Sequence, residues 1–205
     1  MSTHLYVEGG GDSKALRTEC RRGFRRFLGK AGLAESRSMP RITACGSRRD
    51  AYDSFTTAAR TAAAGHTPLL LVDSEGPVSG HDPWRHLKSR PADNWDQPPN
   101  ATADQCHLMV QCMEAWFLCD RPALGRFFGQ GLLLSALPAN ANVEAVPKDD
   151  VYRGLQNATR NCKVNDAYGK GQHSFNLLAL IDPAAVTRVS PWAKRFVDTL
   201  HRLAG

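Results

Sequence analysis

Short apolar runs alternate with longer stretches of helical period along this chain, and that alternation predicts its architecture. Residues 4–8 (His4-Leu5-Tyr6-Val7-Glu8) read as a first strand. Gly9-Gly10-Gly11 turns the chain, and Asp12 or Ser13 caps a helix running to about Gly29 or Gly32. Ala15, Leu16, Cys20, Phe24, Phe27 and Leu28 recur at helical spacing and are expected on its buried side. A second strand covers 41–45, is broken by Gly46-Ser47, and leads into a helix over 50–64 with Tyr52, Phe55 and Ala59 inward. Gly65 ends that helix, and a third strand covers 68–73. A fourth covers 107–111. Met113 to Phe128 reads as helical, restarting at Pro122 after Asp120, and further helices are expected over 148–160, 174–180 and 190–203. Between the third and fourth strands, 76–104 is rich in Pro, Gly, Asp and Asn and holds Trp84 and Trp95. A loop of that length in a compact domain is expected to be functional or mobile.

Strands alternating with helices predict an α/β fold with a mainly parallel sheet flanked by helices and a helical C-terminal extension. The expected division is an α/β core over 1–119 and a mainly helical part over 120–205 packed on it. The 205 residues and 42% hydrophobic content suffice for a real core. No stretch approaches the about 20 apolar residues that span a bilayer. The polar start, Ser2-Thr3-His4, leads straight into a strand rather than a signal peptide, so a cytoplasmic location is expected. Cys20, Cys45, Cys106, Cys112, Cys119 and Cys162 form no C-x-x-C pair, which argues for reduced packing thiols and against zinc. The net charge of +6 points weakly to an anionic partner.

The chemistry sits at two strand ends. Glu8 closes the first strand, and Asp73-Ser74-Glu75 closes the third. In an open α/β sheet the C-terminal edge is where ligands bind. Positions i and i+2 of an extended chain share a face, so Asp73 and Glu75 are expected to reach one site, joined by Glu8 if the first and third strands are neighbours. Carboxylates so gathered repel one another unless a cation lies between them, and Mg²⁺ (or Mn²⁺) is the usual one. Such a metal site is equipment for phosphoryl chemistry. The glycines after Glu8 permit close approach of a phosphate, which makes Gly9 and Gly10 candidate nucleic-acid contacts. A P-loop is excluded, because Ser13-Lys14 has the reverse of the required order. Each residue also has an ordinary role: Asp12 as a cap, Asp73 as a turn residue, Glu75 as a solvated turn residue before Gly76-Pro77.

Glu8-Gly9 and Asp73-Ser74-Glu75 resemble the motifs of the Toprim domain, the metal-binding fold of topoisomerases, primases and OLD-type nucleases. The wider resemblance is to uncharacterised bacterial Toprim-like proteins. It covers Val7-Glu8-Gly9-Gly10-Gly11-Asp12, Leu71-Val72-Asp73-Ser74-Glu75, Met113-Glu114-Ala115-Trp116-Phe117-Leu118 and Lys170-Gly171-Gln172-His173-Ser174-Phe175, spread over nearly the whole chain. It implies a Toprim-like fold, an Mg²⁺-dependent nuclease activity, and a place in phage defence beside an ATPase partner. Glu75 stands where Toprim proteins usually carry Asp.

Glu114, between apolar neighbours at a helix start, reads as a further metal ligand or base, or as a helix-N-terminal carboxylate satisfied by the dipole. Lys170 and His173 read as phosphate or proton-transfer groups, or as a solvated loop charge and a cap-region side chain. Arg17, Arg21 and Arg25 recur every four residues and form a basic stripe, a candidate track for a nucleic-acid backbone or a solvated face. Arg48 and Arg49 fall near the same sheet edge. The leading expectation is a metal-dependent phosphodiesterase on nucleic acid. Its rivals are a non-catalytic or conditionally active subunit of an ATPase and a small-nucleotide phosphohydrolase.

Overall fold

In a computed structural model describing residues 2–33, 38–171 and 173–205, the strands are β1 (Ser2–Gly10), β2 (Arg41–Gly46), β3 (His66–Asp73) and β4 (Cys106–Met109). All pair in parallel, in the order β2-β1-β3-β4. The α/β expectation holds, and β1 and β3 are neighbours. The helices are α1 (Lys14–Lys30), α2 (Arg48–Thr61), α3 (Pro83–Ser89), α4 (Arg121–Phe128), α5 (Lys148–Thr159), α6 (Ser174–Leu180), α7 (Pro183–Val189) and α8 (Pro191–Ala204).

Alternation along the strands divides the core into two layers. Leu5, Val7, Leu69, Leu71 and Met109 face one side, where α1 and the C-terminal helices pack. Leu70, Val72, Leu108 and Val110 face the other, against α2 and the 76–104 segment. Cys20, Phe24, Phe27 and Leu28 form the buried stripe of α1, and Ser13 caps it, its Oγ accepting from the Leu16 amide at 3.3 Å. Ala15, expected inward, is exposed, because it lies in the first turn before the helix reaches the sheet. Gly23 brings α1 and α6 together: a Cβ there would stand 2.8 Å from the Phe175 carbonyl oxygen. Phe27 stacks on Trp116 at 5.3 Å, and the same core continues through Phe128, Leu155, Leu178 and Phe196. Burial of each such side chain contributes about 1.5–3 kcal/mol.

Three local expectations are corrected. The 76–104 segment is not an open loop: it carries α3, and Trp84 and Trp95 are buried in the second core layer. Two indoles bury more apolar area than the polar composition around them suggests. The helix expected over 113–128 divides into a 3₁₀ stretch, Met113–Cys119, and α4. Asp120 makes the break, its Oδ1 capping the Ala123 amide at 3.0 Å and its Oδ2 accepting from the Asp182 amide at 2.9 Å. The α7 helix escaped the pattern because its Pro-Ala-Ala-Val start has no helical period. All six cysteines are free thiols. Among the described residues no helix is long and apolar enough to cross a membrane.

His107, on β4, is fully buried, its Nδ1 3.2 Å from Arg195 Nη1 and its ring 5.2 Å from that of Phe196. Burial, then the Arg195 charge, pushes the imidazole down to about 3. The unfolded chain takes up this proton near 6.5, so the stability is complete above that pH and is lost as pH falls toward about 3. Urea titrations of wild type and His107→Asn should show this: the variant's loss of stability between about pH 7.5 and about pH 5 is expected to be smaller by about 2 kcal/mol. Equal losses would assign the acid sensitivity elsewhere.

Candidate metal centre

The end of β1 is irregular. Glu8, Gly9 and Gly10 all pair with the single residue Gly46, so the strand bulges where its apolar residues stop. Gly10 has φ +86°, and a Cβ there would lie 2.6 Å from the Arg17 Cα. Only glycine fits that turn. The bulge carries Glu8 over the edge of β3, where its Oε2 accepts from the Asp73 amide at 3.1 Å.

Beyond Asp73, β3 remains tied to the residues after β4. The Ser74 amide donates to the Met109 carbonyl at 2.9 Å, and the Glu75 amide to the Gln111 carbonyl at 3.1 Å. Ser74 Oγ accepts from the Gln111 amide at 2.7 Å. Glu75 and Gln111 both have left-handed backbone, φ +62° and +65°. Such non-glycine residues cost about 1–2 kcal/mol each. Asp73 Oδ1 accepts from the Met113 amide at 2.9 Å. The expected rationale for the Asp73–Glu75 pair, period-2 alternation, is therefore wrong: the strand ends at Asp73, and the left-handed turn at Glu75 redirects its side chain.

One carboxylate oxygen from each of Glu8, Asp73 and Glu75 lies within 4.8 Å of the others. An ion shared by carboxylates needs each oxygen at about 2.0–2.6 Å, so a modest side-chain adjustment brings the three within reach of one hard divalent cation. The donor set suits Mg²⁺, Mn²⁺ or Ca²⁺ and does not choose among them.

Two protein cations hold the cluster. Lys148, at the start of α5, hydrogen-bonds Glu75 Oε1 and stands 3.9 Å from Asp73 Oδ2. Arg48, at the start of α2, stands 3.3 Å from Glu8 Oε2 and donates to the Asp73 carbonyl. Its other edge pairs with Asp93 Oδ2 at 2.6 Å, and its guanidinium lies 5.1 Å from the centre of the Trp95 ring. Burial raises the Asp73 carboxyl well above its ordinary range, and the neighbouring Glu8 and Glu114 charges raise it further, against Lys148 and Lys170. Burial also raises Glu8, with Arg48 and the Asp73 amide opposing. For Glu75 burial is overridden by the Lys148 hydrogen bond and charge, which, with Arg48 and Arg90, hold it below its ordinary value.

A cavity of about 310 Å³ opens beside Glu8 and Asp73. Glu114 lines it and is 1% exposed. Its Oε1 accepts from Tyr168 Oη at 3.1 Å and Ser174 Oγ at 3.0 Å, and its Oε2 from Tyr152 Oη at 3.0 Å. Burial and then the Glu114 charge push both tyrosine hydroxyls upward, which keeps them as donors. Lys170 also lines the cavity, its Nζ 5.1 Å from the centre of the Tyr152 ring.

His173 does not join the site. It packs among the Phe127, Phe128 and Tyr168 rings, with Nδ1 accepting from the Gly169 amide at 3.2 Å, and burial lowers its pKa. Its neighbour in the motif, Gln172, lies outside the described residues. Gly9 and Gly10 line the cavity. Arg17 is half-exposed and clamps the glycine turn, its Nε donating to the Gly11 carbonyl at 2.8 Å. Arg21 and Arg25 are exposed, and Arg21 bonds Thr18 Oγ1 at 2.8 Å. Sequence reasoning missed Lys148, Asp93, Tyr152 and Tyr168. Lys148 follows Pro147 at a helix start, which marks an element boundary and carries no sign of a distant carboxylate.

A family model described as Domain of unknown function (DUF4276) matches residues 7–201, and the chain belongs to that family. No curated protein and no solved structure matches it.

Because the fold raises the Asp73 carboxyl, its charge opposes folding at neutral pH when no divalent ion is bound. Asp73→Asn keeps an oxygen for the Met113 amide and removes the charge. The variant should melt higher than wild type in chelator and lose Mn²⁺ binding by calorimetry. Lys148→Met should bind Mn²⁺ more tightly, because it removes a competing ammonium. A lower melting temperature for Asp73→Asn, with Mn²⁺ affinity unchanged, would make Asp73 purely structural.

Proposed function

We propose that this member of the DUF4276 family is a divalent-metal-dependent phosphodiesterase acting on nucleic acid, a nuclease. The observation that carries the reading is the convergence of Glu8, Asp73 and Glu75 at the C-terminal edge of the sheet, beside a cavity. This is also the edge where open α/β sheets place ligands.

Glu8, Asp73 and Glu75 would hold the metal. When bound, it supplies charge for the phosphate oxygens and an acidified water. The residues present do the rest. Arg48 holds Glu8 and the Asp73 carbonyl close in the free chain, so little ordering of those two remains on binding. The Glu8–Asp73 amide bond and the Met113–Asp73 bond orient two of the three ligands. Lys170 places a positive charge on the cavity wall, where a substrate anion enters. Glu114, held by three hydroxyls, is fixed toward the same cavity as a support for ligand position or a proton acceptor. Hydrolysis forms one P–O bond from water and breaks one ester P–O bond. A water proton leaves as the departing oxygen takes one up.

The resemblance to Toprim-like proteins supports the same chemistry and suggests phage defence beside an ATPase. One observation favours a conditionally active version: Lys148 bridges Glu75 and approaches Asp73, the place a metal would take. A partner that draws α5 aside would free the carboxylates.

The test uses purified protein with Mg²⁺ or Mn²⁺ on single-stranded DNA, duplex DNA and RNA. Cleavage is expected to stop on chelation and to fall by about 100-fold or more in Glu8→Gln, with the circular dichroism spectrum unchanged. Cleavage by Glu8→Gln at the wild-type rate would remove the reading. Inactivity of the isolated chain, restored by an ATPase partner, would select the conditional version.

A further inference from the structure

The cavity beside the acidic cluster has a character that a phosphate site does not require. Its walls include Leu16 from α1, Met109 and Met113 around the end of β4, and Phe175 from α6. These side chains are apolar, and apart from half-buried Leu16 they are almost wholly buried. A phosphate backbone needs positive charge and donors, not a thioether-and-aromatic wall. The polar side chains on the same lining are Glu8 and Asp73 of the metal cluster, Lys170, Glu114 and Ser174. An apolar chamber with a few placed polar groups is the composition of a small-molecule pocket.

We propose that this cavity seats one unpaired nucleotide of the substrate, its base against Leu16, Met113 and Phe175 and its phosphate toward Glu8 and Asp73. The inference rests on the metal-dependent reading and adds the substrate's form. Size and chemistry both choose the occupant. The volume of about 310 Å³ lies at the lower limit of the about 300–1,000 Å³ typical of ligand pockets, which suits one nucleotide and excludes a base pair. A lone anion would leave the apolar walls bare. A purely apolar ligand would bring nothing to compensate the carboxylates at the rim, whereas a nucleotide brings its phosphate with a divalent ion. Bases stack on apolar and aromatic side chains with little regard to sequence, so no base preference is required. The substrate must then present a strand end, an extruded nucleotide or single strand.

Calorimetry with adenosine 5′-monophosphate in Mn²⁺ tests the proposal. The wild type should bind it about tenfold or more tightly than inorganic phosphate, because phosphate lacks the base. Leu16→Trp fills the chamber and should weaken the nucleotide about tenfold or more while leaving Mn²⁺ affinity unchanged. Leu16→Ala, which enlarges the chamber, should retain binding, and guards against a folding defect in the tryptophan variant. On polymers, an oligonucleotide with free ends or single-stranded character should be cut, a fully paired closed circle should not, and turnover of free nucleotides would identify the monomer as the source of the seated unit. Nucleotide and inorganic phosphate binding equally, or Leu16→Trp binding the nucleotide as well as wild type, would overturn the cavity's role and leave the metal reading standing. Failure of the wild type to bind Mn²⁺ would remove both.

Discussion

The mutual repulsion of Glu8, Asp73 and Glu75 is the constraint around which the sheet's C-terminal edge is built. Two unit charges about 4–5 Å apart cost about 3–4 kcal/mol at the effective dielectric of a protein surface. Asp73 is 5% exposed, so water screens little of that cost. Lys148 and Arg48 offset it, and each arrives from a different layer: Lys148 from α5 on one face, Arg48 from α2 on the other. Arg48 is itself held by Asp93 and Trp95, which belong to the packed 76–104 segment. Both layers of the fold are thus needed to keep the three acids together.

The site has two halves of different chemistry. The acidic half lies over the ends of β1 and β3 and selects a cation. The cavity half lies between α1, the end of β4 and α6, and its walls are mostly apolar. Glu114 stands where they meet. Three hydroxyl donors satisfy it without neutralising it, so it adds negative potential at Asp73 instead of cancelling. The backbone reflects the same demand: Glu75 and Gln111 both adopt left-handed geometry at the β3–β4 edge, strain that cross-bonds through Ser74 hold in place.

The legible part of the chain was local. Four apolar runs became four parallel strands, and Glu8, Asp73 and Glu75 announced themselves as acids following apolar residues at strand ends. Glu114 stood out as a carboxylate between apolar neighbours. The less legible part was contact at long separation. His173 shares a short motif with Lys170, yet the start of α6 turns its imidazole into the Phe127–Phe128 cluster while Lys170 reaches the cavity. Arg17 reads as the first member of a basic stripe, and nothing in that spacing signals that the glycine turn places the Gly11 carbonyl within reach of its Nε.

The sequence by itself determined the alternation of strand and helix, and with it which residues stand at the C-terminal ends of strands, because period and turn chemistry act over a few residues. Tertiary structure alone decided how the acids meet and what neutralises them. The β1 bulge and the left-handed Glu75 override strand alternation, and Lys148 reaches Glu75 across a separation of 73 positions. Electrostatic compensation acts through space, and no spacing along a chain encodes it.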